Sequence, residues 1–206
     1  MFYRTPGPHG LAHDPFKAIV APRPIGWIST RSLSGAVNLS PYSFFNAVSD
    51  NPKIVMFSSA GMKDSPSFAI ESGAFAVNLA TRSLAAAMNR SSAPAPRGVS
   101  EFAIAGLTET ACEIIAAPRV GESPAALECR VTEWFRPKGL DGEASDSVMV
   151  FGEVVGIHID ESILKDGRID MSLAAPLSRL GYLDYAVSDT VFQMARPILP
   201  DGTDIG

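Results

Sequence analysis

The chain has no surplus of basic residues, few cysteines and histidines, and no long apolar run. Its 206 residues carry 17 Lys and Arg against 22 Asp and Glu, a formal net charge of −5. Binding to a phosphate backbone draws on a cationic surplus, so the balance argues against a nucleic-acid partner while leaving room for a local basic site for one small phosphate. No uninterrupted apolar stretch approaches the roughly 18–20 residues that cross a bilayer. The segment Met1 to Gly10 lacks the basic-then-apolar order of an export signal, so the expectation is a cytoplasmic protein without a membrane role. The only cysteines are Cys112 and Cys129, and the three histidines, His9, His13 and His158, are scattered. With no C-x-x-C there is no metal-ligand spacing, and the cysteines read as plain apolar residues. There is also no G-x-G-x-x-G, no G-x-x-x-x-G-K-[ST], no G-x-S-x-G and no H-E-x-x-H. Rossmann, P-loop, hydrolase-elbow and zincin chemistries therefore lose their support.

What is present is a β-rich pattern of ordinary globular composition, 46% hydrophobic and 19% charged, with a length that suits one domain over 1–206. Residues 1–16 hold Pro6, Gly7, Pro8, Gly10 and Pro15 and read as an irregular arm; 185–206 read as a tail. A strand runs from Ile25 to Thr30, Ser34-Gly35 marks a turn, and Ala36–Ser40 can pair back as a hairpin. Pro41 to Asn51 reads as a polar-aromatic loop, and Lys53–Ser59 as a buried strand. Ser65 is the expected N-cap of a helix over 65–72, with Pro66 at its first position and Gly73 as its stop. Ala74–Ala80 alternates like a strand, and Thr81 is placed to cap a second helix through about Asn89. Ser91–Ser100, with Pro94, Pro96 and Gly98, reads as a loop, and Glu101–Gly106 as a short helical turn. In the strand Leu127–Arg136 the residues Leu127, Cys129, Val131 and Phe135 share one face. Ser147–Ile159 is a long strand with bend or bulge points at Gly152 and Gly156. Many strands with few long helices point to a barrel or sandwich.

Two polar clusters carry the chemistry. Ser58 and Ser59 end an apolar strand, and Lys63-Asp64-Ser65 follow just before a helix. A helix N-terminus offers free N–H groups and partial positive charge, so with an ammonium and several hydroxyls the cluster suits a phosphate; the alternative is a simple cap beside a solvated lysine. The second cluster is Ser43-Phe44-Phe45-Asn46, whose rings can frame a planar heterocycle while Asn46 and the backbone bond its polar edge. The alternative is that one ring is core and the other covers a loop. On the first strand Trp27 and Ile28 default to core, and Ser29 and Thr30 point to opposite faces.

The runs Arg23–Thr30, Asn38–Ser49, Pro52–Ser58, Lys63-Asp64-Ser65 and Phe75–Leu79 closely resemble the flavin reductase-like, FMN-binding split-barrel family, in its flavoredoxin branch. The likeness returns at Val154–Asp160 and at Pro176–Gly181. It implies a mainly β, FMN-binding split β-barrel with a few short peripheral helices. It also implies a homodimer with FMN near the interface, phosphate contacts from Ser58, Ser59, Lys63, Asp64 and Ser65, and ring contacts from Ser43, Phe44, Phe45 and Asn46. Ser29 and Thr30 on the first strand complete the expected cofactor-binding set. The chain departs from the family pattern in a short Ala60-Gly61-Met62 segment, in Ser65 where threonine is common, and in Tyr182 where the later motif usually has a second glycine.

The resemblance implies that FMN carries the redox chemistry while the protein holds and tunes it. No side-chain acid or base is required, so no catalytic residue is assigned, and His158 reads as structural. The leading expectation is an NAD(P)H-dependent flavin reductase, with NAD(P)H as co-substrate and a monooxygenase or other redox protein as partner. The alternatives are a flavoredoxin-like FMN electron carrier reduced by another protein, and a heterocycle-binding module.

Overall fold

A computed structural model describes residues 1–96 and 99–195. The expected loop positions Arg97 and Gly98, and residues 196–206 of the expected tail, lie outside the described residues. The central feature is an antiparallel seven-stranded sheet made of β2 (Gly26–Arg31), β3 (Val37–Tyr42), β4 (Phe45–Asp50), β5 (Lys53–Ala60), β6 (Ala74–Leu79), β9 (Ala125–Phe135) and β10 (Ser147–Ile159). Its order is β3-β2-β6-β9-β10-β5-β4. The two edge strands, β3 and β4, are consecutive in sequence and joined only by Ser43 and Phe44. The sheet must therefore curl until its edges approach each other. They are joined by that short link and not by a ladder of their own; Ser58 N–H donates to Phe44 C=O at 2.8 Å, which continues the β4–β5 pairing into the link. This is a split barrel, closed by a link at the seam.

Alternation places the cores. Ile28, Val55, Phe57, Phe75, Val77, Cys129, Val148 and Val150 converge inside the curl, joined by Ala69 of helix α2 (Asp64–Ser72). The pairs 55/57, 75/77 and 148/150 show the two-residue period of strands with one face inward. Outside β2 and β3, the residues Ile25, Trp27 and Leu39 pack under helices α3 (Ala85–Arg90) and α4 (Glu101–Ala105), through Met88 and Phe102. Trp27 and Ile28 are thus core, as expected, and Trp27 Nε1–H donates to Ser91 Oγ at 2.9 Å. Outside β6 and β9 a third cluster holds Ala76, Ile115 and Ala117.

The remaining elements are short. Helix α1 (Phe16–Ile19) precedes β1 (Arg23–Pro24), which pairs with β13 (Leu177–Arg179), and β13 pairs with β14 (Tyr185–Val187). Strands β7 (Glu109–Thr110) and β8 (Arg119–Val120) form one hairpin, β11 (Leu164–Lys165) and β12 (Arg168–Ile169) another, and helix α5 (Met171–Ala174) lies between the latter and β13.

Several expectations need correction. Residues 41–51 are mostly strand: Pro41 and Tyr42 continue β3, and Phe45–Asp50 is edge strand β4, paired with β5. An edge strand needs no inward alternation, and Pro41 loses no ladder bond when its nitrogen faces away from the partner. Helix α2 begins at Asp64 with Lys63 at the N-cap and no side-chain cap bond; Ser65 is turned inward instead. Its C-terminus is as expected, with Gly73 at φ 71°. Thr81 does not cap α3, which starts four residues later; its hydroxyl meets Ser83 Oγ at 2.9 Å. Bulges fall at Phe151/Gly152 and Val154/Gly156, the positions the two glycines marked. The first bulge sets Gly152 opposite Val131 and Phe151 opposite Glu133, so Thr132 is the extra residue. That shift moves Phe135 off the core face, where it stacks on Phe151 with ring centroids 5.5 Å apart.

Candidate functional site

The seam between β3 and β4 opens into a groove of four adjoining depressions. The largest, about 660 Å³, is mainly apolar, with Phe44, Phe45, Met56, Met149, Ile19 and Pro22 among its walls. Ser43, Asn46 and Ser58 supply polar groups at its margin. The link places Ser43 and Phe44 there, while Asn46 comes from β4 and Ser58 from β5. Phe44 is 39% exposed, and Phe45 lies against the backbone of Gly26, where a Cβ would come within 2.6 Å of the ring.

Through Ser43, Phe44, Ser58 and Ser147 this cleft continues into a depression of about 330 Å³. Here Lys17 and Lys63 stand beside the hydroxyl-bearing residues Ser40, Ser58, Ser92 and Tyr42, and none of the described residues lining it is a carboxylate. Lys63 marks the border with a third depression, about 420 Å³, lined by Asn38, Asp64, Ser65 and Glu101 among others. That end differs in charge. Glu101 is buried and accepts from Asn38 Nδ2 and Leu39 N–H, both at 3.0 Å. Burial is the main cause that raises its pKa, against the opposing pull of those hydrogen bonds. The Ser65 hydroxyl is buried and donates to Asn38 Oδ1. Tyr42, whose ring packs 5.1 Å from Phe57, has its pKa raised by burial, partly offset by the hydroxyls of Ser65, Ser59 and Ser40. The fourth depression, about 270 Å³, adjoins the second at Lys17, Pro41, Ser43 and Ser92, and includes Arg23 and Arg179.

The structure therefore brings Ser43, Phe44, Phe45, Asn46, Ser58 and Lys63 to one continuous groove, with Asp64 and Ser65 at its acidic end. It does not bring the other three there through their side chains. Ser29 is fully buried and bonded to Pro118 C=O at 2.6 Å and to Asn78 Nδ2 at 3.1 Å. Thr30 is fully buried, and its Oγ1 makes no hydrogen bond. Ser59 is buried behind the groove floor; its Oγ lies near the Tyr42 phenol without completing a hydrogen bond. The groove also recruits residues outside the expected set: Lys17, Arg23, Ser40, Ser92, Met56 and Met149. Of these, Arg23, Ser40 and Met56 fall within the runs that resemble the family, while Lys17, Ser92 and Met149 carry no such signal.

His158 lies elsewhere. Its Nε2 is 2.6 Å from Glu128 Oε1, beneath the 113–115 loop. Glu128, with no exposed surface, also accepts the N–H groups of Glu113, Ile114 and Ile115 at 2.7, 2.7 and 3.0 Å. Burial alone would raise the Glu128 pKa; these hydrogen bonds outweigh it and hold the carboxyl below its ordinary value. His158 is thus held against a buried carboxylate and does not line the seam groove. Among the described residues, no helix is long and apolar enough to cross a membrane.

An apolar cleft that opens into a hydroxyl-and-lysine end without a carboxylate fits a flat heterocycle bearing a phosphate, and so fits FMN. The likeness to known proteins agrees with that geometry. Residues 20–183 match the family described as the flavin reductase like domain. An uncharacterised protein of Halalkalibacterium halodurans is 33% identical over 87% of this chain and 88% of its own. Among solved structures, nitrilotriacetate monooxygenase component B from Bacillus cereus superposes with a TM-score of 0.83 at 31% identity, covering 94% of this chain and 98% of that one. The 2-nitrobenzoate 2-nitroreductase of Pseudomonas fluorescens gives 0.78 at 26% identity, covering 93% and 92%. The flavoredoxin of Desulfovibrio vulgaris, 20% identical over 98% of this chain and 100% of its own with a TM-score of 0.73, shares the fold. The chain belongs to the flavin reductase like domain family, with that family's split-barrel fold.

Proposed function

We propose that the protein binds FMN in the seam groove and acts as an NAD(P)H-dependent flavin reductase. The observation that carries this reading is the polarity of the groove. Its apolar cleft suits the flavin ring, with Phe44 and Phe45 as walls and Asn46 and Ser43 at the ring's polar edge. Its adjoining end suits the phosphate, with Ser58, Ser40 and Ser92 as hydroxyl partners and Lys63 and Lys17 as cations. FMN supplies hydride and single-electron chemistry when bound. The chain's own residues bind the phosphate, orient the ring and leave one of its faces open to the nicotinamide of the co-substrate. Asp64 and Ser65 act at the border, through the backbone turn that presents Lys63.

The family resemblance is the ground for placing the working unit as a homodimer with FMN near the interface. The 31% identity to a monooxygenase component B supports a role in supplying reduced flavin to a partner oxygenase. The flavoredoxin likeness, at 20% identity, carries the fold alone, so the electron-carrier reading has no comparable support.

Oxidation of NADH and NADPH, followed with and without added FMN and with the visible spectrum of the purified chain, tests the proposal. Activity that depends on flavin, together with micromolar FMN binding, is expected. Absence of flavin binding at micromolar concentrations would overturn it.

A further inference from the structure

The fourth depression shares Lys17 with the phosphate end of the groove and adds two guanidinium groups that the flavin reading does not use. Lys17, Arg23 and Arg179 line it together with Tyr182 and Tyr185, and none of the described residues lining it is an Asp or Glu. Arg23 is only 6% exposed. Its Nη groups are committed to carbonyl oxygens: Nη1 donates to Lys17 and Val20, and Nη2 to Leu180 at 2.7 Å. Its Nε is buried without a hydrogen-bond partner. Arg179 lies 4.4 Å from the centroid of the Tyr185 ring and donates to the Tyr185 hydroxyl and to Tyr182 C=O. Among the described residues neither guanidinium has a carboxylate within ion-pair distance. Buried charge is ordinarily paired. Here carbonyl dipoles orient the cations, and no carboxylate of the described residues neutralises them. Burial, and then the field of Arg179, lower the Arg23 pKa, as two unneutralised neighbouring cations require.

Tyr182, whose C=O accepts from Arg179 and whose ring packs 5.5 Å from that of His13, adds a second sign. It sits at φ 57° in the left-handed region, in the motif position where a glycine would be free of strain. Its ring is half exposed at the mouth of the same pocket. A bulky residue kept in such a conformation points to a use for its side chain.

We propose that this pocket is a subsite for a second ligand, one that presents an oxyanion next to a flat ring. Lys17 and the Arg23–Arg179 pair meet the oxyanion, and Tyr182 and Tyr185 flank the ring. Its volume, about 270 Å³, lies below the ~300–1,000 Å³ of a site that encloses a drug-sized molecule. It therefore takes one ring with its anion and not a whole dinucleotide. An aromatic carboxylate and a nucleotide phosphate beside its base share this chemistry. Binding at the subsite stands independently of the flavin reading; its role in presenting a co-substrate at the groove rests on it.

Titration calorimetry on the full chain at low salt, with benzoate, AMP and inorganic phosphate as probes, tests the assignment. Benzoate or AMP is expected to bind more tightly than phosphate, and the tighter of the two identifies the source of the ligand. Lys17→Ala alters an exposed side chain and should weaken all three about five- to tenfold. Tyr182→Gly relieves the backbone and should weaken benzoate and AMP about threefold or more, with phosphate unchanged. Both variants should melt no lower than the parent, which keeps loss of binding distinct from loss of fold. Absence of binding by any probe at millimolar concentration overturns the proposal, as does indifference of benzoate and AMP to both substitutions. Competition separates it from the flavin reading. If riboflavin and FMN both bind and neither displaces the probe, the second-ligand subsite stands. Displacement by FMN alone would assign the pocket to FMN's own phosphate, and displacement by riboflavin would assign it to the flavin ring; either overturns a second ligand. Binding of the probe with no flavin binding would sink the flavin reading and leave the subsite in place.

Discussion

Glu128 shows how a buried charge can be structural. Its carboxylate accepts three backbone N–H groups and meets His158, so it ties the 113–115 loop to strand β9. Because its folded-state pKa is depressed, the stabilisation is fully present above the ordinary glutamate value of about 4.3 and is lost as pH falls through the depressed folded value. Glu128→Gln removes the charge and points an amide donor at N–H donors, an expected cost of about 1–3 kcal/mol. Melting temperatures from neutral to acid pH check this. The parent should lose stability on the acid side, while the variant should start lower and fall less steeply; parallel curves would show that the carboxylate is not the titrating clasp. The cysteines are the complementary case. Burial, and for Cys112 also the nearby Glu128, push both thiols up to about 12, so neither offers a thiolate at neutral pH. A disulfide-exchange reagent should modify neither thiol quickly in the native protein and both after unfolding. Both cysteines were expected to be plain apolar residues; Cys129 lies in the first core cluster and Cys112 packs against the third. The Glu128–His158 pair was not legible, since 30 residues separate its members and only the β9–β10 register brings them together.

Strand β4 and the link before it decide where the site lies. Gly26 on β2 leaves room for Phe45 on β4: a Cβ there would sit 2.6 Å from Phe45 Cγ and 3.0 Å from its Cβ, atoms too near the backbone to swing aside. Gly26→Ala should therefore force the two segments apart, at about 1–3 kcal/mol for an overpacked contact, and shift one wall of the cleft. Both a lower denaturation midpoint and weaker FMN binding are expected. Weaker binding without loss of stability would mean that Phe45 moves freely and does not couple the wall to the barrel. The strands β6 and β9 were legible because their apolar residues alternate in the sequence, β2, β5 and β10 because each is a strand-like or apolar run, and the bulges because Gly152 and Gly156 interrupt the longest of them. Strand β4 was not. Its sequence, Phe-Asn-Ala-Val-Ser-Asp, packs on one edge only, so no burial pattern distinguishes it from a loop. The inward turn of Ser65 was hidden for a related reason: its partner, Asn38, lies on a strand across the groove, and a local capping rule cannot anticipate a distant acceptor.

At the scale of the whole molecule, the site sits where the barrel is left unclosed. The seam is lined by two sheet edges, a two-residue link and the segment before β1, with few of the paired backbone groups that rigidify the rest. Such a region gains most from a bound ligand. A saturating ligand at about one hundred times its dissociation constant adds about 2.7 kcal/mol to the stability of the folded state. FMN should therefore raise the melting temperature by several degrees, and Lys63→Ala should reduce that rise for FMN more than for riboflavin, which lacks the phosphate. Equal effects on the two flavins would move the phosphate away from Lys63. The proposed homodimer extends the same linkage. If a second copy completes the flavin site at the interface, assembly and flavin binding must strengthen each other by the same factor. Sedimentation should then show a dimer whose dissociation on dilution is suppressed by FMN, and FMN affinity should fall at protein concentrations where the dimer separates. A monomer that binds FMN with the same affinity at every concentration would place the entire site within one chain.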